Sequence, residues 1–212
     1  MLAMVTVVVS AVGIVLYPTL KKVSIESIPN YYNKLMRIII IVVLFGLWGY
    51  FPLLWIVPQF LPNYVGSLII FRIALPGLLF TSTITAIKHN IFKITNKNGH
   101  FFWISFIAIL INIALNLGAY YLYGTKEAIA ITSILGLALW YVSTEMYIVR
   151  NHKVKWFCNS TIIMIGTLLF YILSGIQNYI ISGLLYVSLI ALLSGLLYKK
   201  EINVVLTKFK RN

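Results

Sequence analysis

Seven times along this chain, a run of apolar residues long enough to cross a bilayer is closed by a polar connection. A bilayer core needs about 20 apolar residues in helix, because every backbone N–H and C=O at that depth must be bonded within the segment. The runs span 1–20, 36–61, 65–88, 101–123, 127–149, 157–175 and 178–198. This pattern predicts an all-α, polytopic membrane helix bundle of about seven transmembrane helices. The connections at 61–65, 123–127 and 175–178 are only a few residues long. The runs they join are therefore expected to form helical hairpins.

Composition agrees. Of 212 residues, 61% are hydrophobic and 10% charged, where a soluble domain carries about 25% charged residues. The net charge of +13 would suggest nucleic acid in a soluble protein. Here its distribution gives another reading, and no nucleic-acid partner is expected. Lys21, Lys22 and Lys34 precede the second run and Arg37 stands at its start. Lys88 ends the third, Lys93 and Lys97 follow it, and Arg150, Lys153 and Lys155 follow the fifth. Lys199, Lys200, Lys208, Lys210 and Arg211 fill the tail. The intervening connections hold only Lys126. By the positive-inside rule the basic connections and the C-terminus are cytoplasmic. With seven spans, the start of the chain then lies outside. The first run has neither a basic leader nor a small-residue cleavage pattern, so it reads as a span and not as a secretory signal. A chain that begins outside in this way reads as the back part of a longer protein.

Catalytic chemistry is sparse. The acids are Glu26, Glu127, Glu145 and Glu201, and the histidines His89, His100 and His152 fall in the basic connections. No spacing suits a metal, and the single cysteine, Cys158, excludes an intrachain disulfide. No enzyme activity, cofactor or metal is expected, and no proton relay.

One stretch breaks the apolar pattern: FRIALPG, Phe71 to Gly77. Arg72 lies roughly 10 Å inward from the outer end of its run. It either snorkels to the outer headgroups or faces a water-filled cavity, where its fork of donors suits a phosphate. Pro76 lacks an N–H, so the Arg72 carbonyl loses its helical partner, and Pro76 with Gly77 predicts a kink. Asn112 and Asn116 share one helix face, for interhelical bonding or for substrate. Thr81, Ser82, Thr83 and Thr85, with Thr132, Ser133, Ser143, Thr144 and Glu145, suggest a polar cleft.

Three stretches carry a family likeness: VVSAVGIVLYPTLKK, LPNYVGSLIIFRIALPGLLFTSTITA and NIALNLGAYYLYGTKEAIAITS. In order and spacing the chain, over roughly residues 5–200, resembles the C-terminal half of bacterial polysaccharide (oligosaccharide) flippases. These belong to the multidrug/oligosaccharidyl-lipid/polysaccharide exporter superfamily. Arg72, Asn112, Asn116 and Gly124 match the family's arginine, paired asparagines and turn glycine. The chain departs at Lys126–Ala130, where the family prefers a second glycine.

The resemblance implies five helices of a second lobe over 1–150, two additional C-terminal helices over 151–198, and a basic cytoplasmic tail over 199–212. It implies a bacterial plasma membrane protein that flips undecaprenyl-diphosphate-linked oligosaccharide through a cavity between two lobes. The glycan would ride in that cavity while the lipid tail stays in the membrane. Arg72, Asn112 and Asn116 are the implied substrate-binding residues. The missing N-terminal lobe would be supplied in cis or in trans. Two alternatives are a cation-coupled drug exporter half of the same superfamily, which should have an acidic pocket, and a membrane-embedded polysaccharide polymerase or ligase. The latter should have large outer loops, which this chain lacks.

Overall fold

The computed structural model describes residues 27–152 and 157–197, with positions 13, 14, 18, 21 and 154. Most of the first run and all of the tail lie outside the described residues. Within them, all regular structure is helical. Helix α1 (Ile28–Leu47) begins with a proline in its first turn. The missing N–H would be unbonded there anyway, and the fixed φ suits the helix. Pro29 thus helps start this helix. Lys34 and Arg37, read as loop charges, ride on its early turns. Ile28, Tyr32, Met36, Ile39, Ile40, Val43, Leu44 and Leu47 are buried. Their spacing of three and four residues puts them on one face, and that face is the spine of the bundle.

The chain tightens at Trp48, whose N–H bonds the Phe45 carbonyl at 3.1 Å. The carbonyl of Leu44 instead accepts the Tyr186 hydroxyl at 3.0 Å. Helix α2 (Tyr50–Phe60) follows, and a 3₁₀ turn (Pro62–Tyr64) leads into α3 (Ser67–Ala74). The chain then breaks at Leu75–Pro76, resumes as α4 (Gly77–Thr83), passes through a π turn (Ile84–Lys88) and ends as α5 (His89–Ile94). The two parts of this run meet at 41°.

Two long helices form the most regular hairpin. Helix α6 (Asn98–Tyr123) stops at Gly124, whose φ of 62° is the left-handed conformation that glycine adopts without strain. Helix α7 (Lys126–His152) opens with the Thr125 hydroxyl accepting the Ala128 N–H at 3.3 Å, an N-cap. Helices α8 (Phe157–Leu173) and α9 (Tyr179–Leu197) form a second hairpin. Asn178 caps α9 through the Ile181 N–H at 3.2 Å. This hairpin packs against α1 and α2. Tyr50, Phe51, Phe170 and Tyr186 interlock there with ring centroids 5.5 to 6.3 Å apart.

Among the described residues, three helical stretches are long and apolar enough to cross a membrane: Ile28–Phe60, Asn98–Tyr123 and Lys126–His152. They are four if the broken pair Ser67–Ala74 and Gly77–Ile94 counts as one span. Helices α8 and α9 are apolar and shorter.

Candidate functional site

The sequence places Lys88 among the cytoplasmic loop charges. The structure differs because the helix does not stop at 88. It runs on to Ile94 through the π turn Ile84–Lys88. A π turn admits an extra residue into the helical ladder and is found disproportionately at functional sites. Threonines before and within it bond their own helix. Thr81 bonds the Gly77 carbonyl at 3.2 Å, Thr83 bonds Leu79 at 2.8 Å and Thr85 bonds Thr81 at 2.8 Å. Back-bonding of this kind bends helices.

At the end of the π turn Lys88 is wholly buried. Its Nζ lies 2.8 Å from Glu145 Oε2, and the two side chains are 0% and 2% exposed. The ammonium also donates to the Tyr141 carbonyl at 2.8 Å and to Thr144 Oγ1 at 3.3 Å. It lies 3.3 Å from the centroid of the Tyr141 ring. A lysine has three protons to give, and here each has an acceptor. Tyr32 of α1 donates its hydroxyl to the same Glu145 oxygen. Three separate segments (α1, the π turn and α7) thus meet at one carboxylate oxygen. The other oxygen, Oε1, is buried and accepts no hydrogen bond. A buried ion pair draws its strength from complete pairing. Removing one partner leaves an uncompensated charge, at about 3–5 kcal/mol.

A cavity of about 810 Å³ opens beside this node, between α6, α7 and α8. Glu145 and Tyr141 reach it from the node, and Arg150 stands at the end of α7. Val142, Met146 and Met164 contribute apolar wall.

Arg72 and Pro76 belong to a different contact. Arg72 Nε donates to Ser174 Oγ at 2.8 Å, and Nη2 donates to the Tyr171 carbonyl at 2.7 Å. In return the Tyr171 hydroxyl donates to the Ile73 carbonyl at 2.8 Å. The guanidinium therefore seals the carbonyl end of α8, a favourable place for a cation, while a tyrosine of α8 satisfies a carbonyl beside the Pro76 break. Gly77 is buried just past that break, and a Cβ on it would lie 3.0 Å from Leu137 Cδ1.

The two asparagines join a third contact. Asn116 Nδ2 donates to Asn112 Oδ1 at 3.0 Å. Asn116 Oδ1 accepts Thr132 at 2.8 Å and Ser133 at 3.2 Å. Gly136 of α7 lies so close that a Cβ on it would sit 2.6 Å from Asn112 Cγ. The four polar residues form a ladder that ties α6 to α7. No hydrogen bond links Arg72 to the asparagines among the described residues.

Sequence reasoning missed the Lys88–Glu145–Tyr32 node. One signal was available. Lys88 lies six residues before the end of α5 at Ile94 and Glu145 seven before the end of α7 at His152, so opposite charges sit at matching depths. Reading the third run as ending at 88 hid this. The histidines also differ from the loop residues expected: His89 stacks on Phe101 with ring centroids 4.6 Å apart. No group of His, Cys, Asp and Glu among the described residues could hold a metal. The chain matches no protein-family model, no curated protein and no solved structure.

Proposed function

We propose that this chain is a polytopic membrane bundle of seven spans that forms the second lobe of a lipid-linked oligosaccharide flippase. On this reading its C-terminus is cytoplasmic in a bacterial plasma membrane. It acts with an N-terminal lobe supplied in cis or in trans, and its substrate is an undecaprenyl-diphosphate-linked oligosaccharide. The observation that carries the reading is the buried Lys88–Glu145 pair, held on a run broken at Pro76 and distorted at Ile84–Lys88. Ionisable residues at membrane depth are rare and mark transport pathways. Interrupted helices are how transporters place polar groups inside a bilayer and how their lobes rearrange. The lipid-linked substrate rests on the family resemblance of the sequence.

Deleting the gene from its host tests this reading. The account predicts loss of surface polysaccharide and accumulation of lipid-linked repeat units on the cytoplasmic leaflet, both reversed by the restored gene. Unchanged surface polysaccharide overturns it.

A second reading, the cation-coupled exporter, gains from one observation. Glu145 is a buried acid bordering a cavity, as such an exporter requires. Export of lipophilic dyes lost on the same deletion, with polysaccharide intact, would favour that reading.

A further inference from the structure

The cavity between α6, α7 and α8 has a shape and a charge pattern of its own. On α7 its wall runs through Ala138, Val142, Met146 and Val149 to Arg150. The spacing of three and four residues keeps the apolar members on one face. From Ala138 to Arg150 the helix rises roughly 18 Å, close to half of the ~30 Å hydrocarbon core. The wall therefore has the length of one leaflet, with the cation at the headgroup end. Exposure matches: Met146 is 67% exposed and Met164, across the cavity on α8, is 73% exposed.

The hydroxyls along this wall have bonding partners within the protein. Ser143 bonds the Leu139 carbonyl at 2.8 Å, and the Tyr141 hydroxyl pairs with Ser160 at 3.3 Å. Glu145 also borders the cavity, but its charge is answered from behind by Lys88. Beside these already bonded polar groups, a guest meets apolar wall ending in a guanidinium.

We infer that this cavity is a binding site for an anionic phospholipid of the cytoplasmic leaflet, its phosphate on Arg150 and one acyl chain along the α7 wall. The site rests on the membrane reading and the orientation proposed above. It lies apart from the Arg72 clamp and needs no second lobe. The chain packs against the apolar stripe by shape, and the headgroup is selected by charge, so the two parts can be separated by mutation.

The test reconstitutes the full chain in nanodiscs made from an equal mixture of phosphatidylglycerol and phosphatidylcholine, then measures the lipid retained on the protein by native mass spectrometry. Failure to enter nanodiscs would count against the membrane reading itself. Once the chain is incorporated, the wild type should retain phosphatidylglycerol over phosphatidylcholine by about fivefold, the factor one arginine contributes near anionic headgroups. Arg150→Gln should abolish the preference while lipid still binds. Met146→Trp, which fills the groove and keeps the arginine, should reduce retention of both lipids. Equal retention of the two lipids by the wild type overturns the inference, as does an undiminished preference in Arg150→Gln. Displacement of the retained lipid by an equimolar polyprenyl phosphate also overturns it and assigns the groove to the carrier.

Discussion

Among the described residues, the buried Lys88 and Glu145 and the half-buried Arg72 are each answered by named partners. Arg72 shows how one residue can look functional in sequence and act between helices in the fold. Its position in an apolar run and the proline after it were legible. Its partners, Tyr171 and Ser174, lie about a hundred residues away, and no local pattern announces them. Hydrogen bonds to a charged group contribute about 1.5–3 kcal/mol, against about 1 for a neutral one. Arg72→Ala should therefore destabilise the protein in mild detergent by about 1.5–3 kcal/mol. Tyr171→Phe, which loses only the bond to Ile73, should cost about 1 kcal/mol. Chemical unfolding monitored by circular dichroism reads both; an Arg72→Ala protein as stable as the wild type would contradict the clamp.

The elements were more legible than their interruptions. The runs at 101–123 and 127–149 became α6 and α7 with ends shifted by three residues at most, because a long apolar period and the Gly124–Thr125 turn define them. The run at 65–88 became four short pieces. Pro76 marked one break, but the π turn has no comparable signature; it follows from threonines that bond back onto their own helix and from a lysine that must reach the core. The α6–α7 hairpin packs closely where Gly136 of α7 meets Asn112 of α6. Gly136→Ala should force Asn112 aside and cost about 1–3 kcal/mol, as over-packing does. Gly118 on α6 has nothing within 4 Å of its absent Cβ, so Gly118→Ala should leave stability unchanged or raise it. Thermal unfolding of the two proteins side by side checks this, and equal melting temperatures would contradict the close packing.

For the molecule as a whole, the sequence made the all-helical architecture plain, because apolar runs of this length leave the backbone few other ways to bond itself. The node that ties the bundle together was hidden, for a physical reason. Tyr32, Lys88 and Glu145 come from three separate helical segments, and each looks ordinary where it stands: an interfacial tyrosine, a loop lysine, an acid near a helix end. Only packing makes them one group, with a buried charge pair, a shared acceptor oxygen and a cavity alongside. Reversing the charges asks whether transport depends on that group. Surface polysaccharide would be measured in cells carrying Lys88→Glu, Glu145→Lys or both, with membrane levels of the protein matched by immunoblot. Each single change puts two like charges into the buried site and should abolish polysaccharide display. The double exchange restores an opposite pair and should recover a substantial part of it. Full display in either single variant would contradict the account.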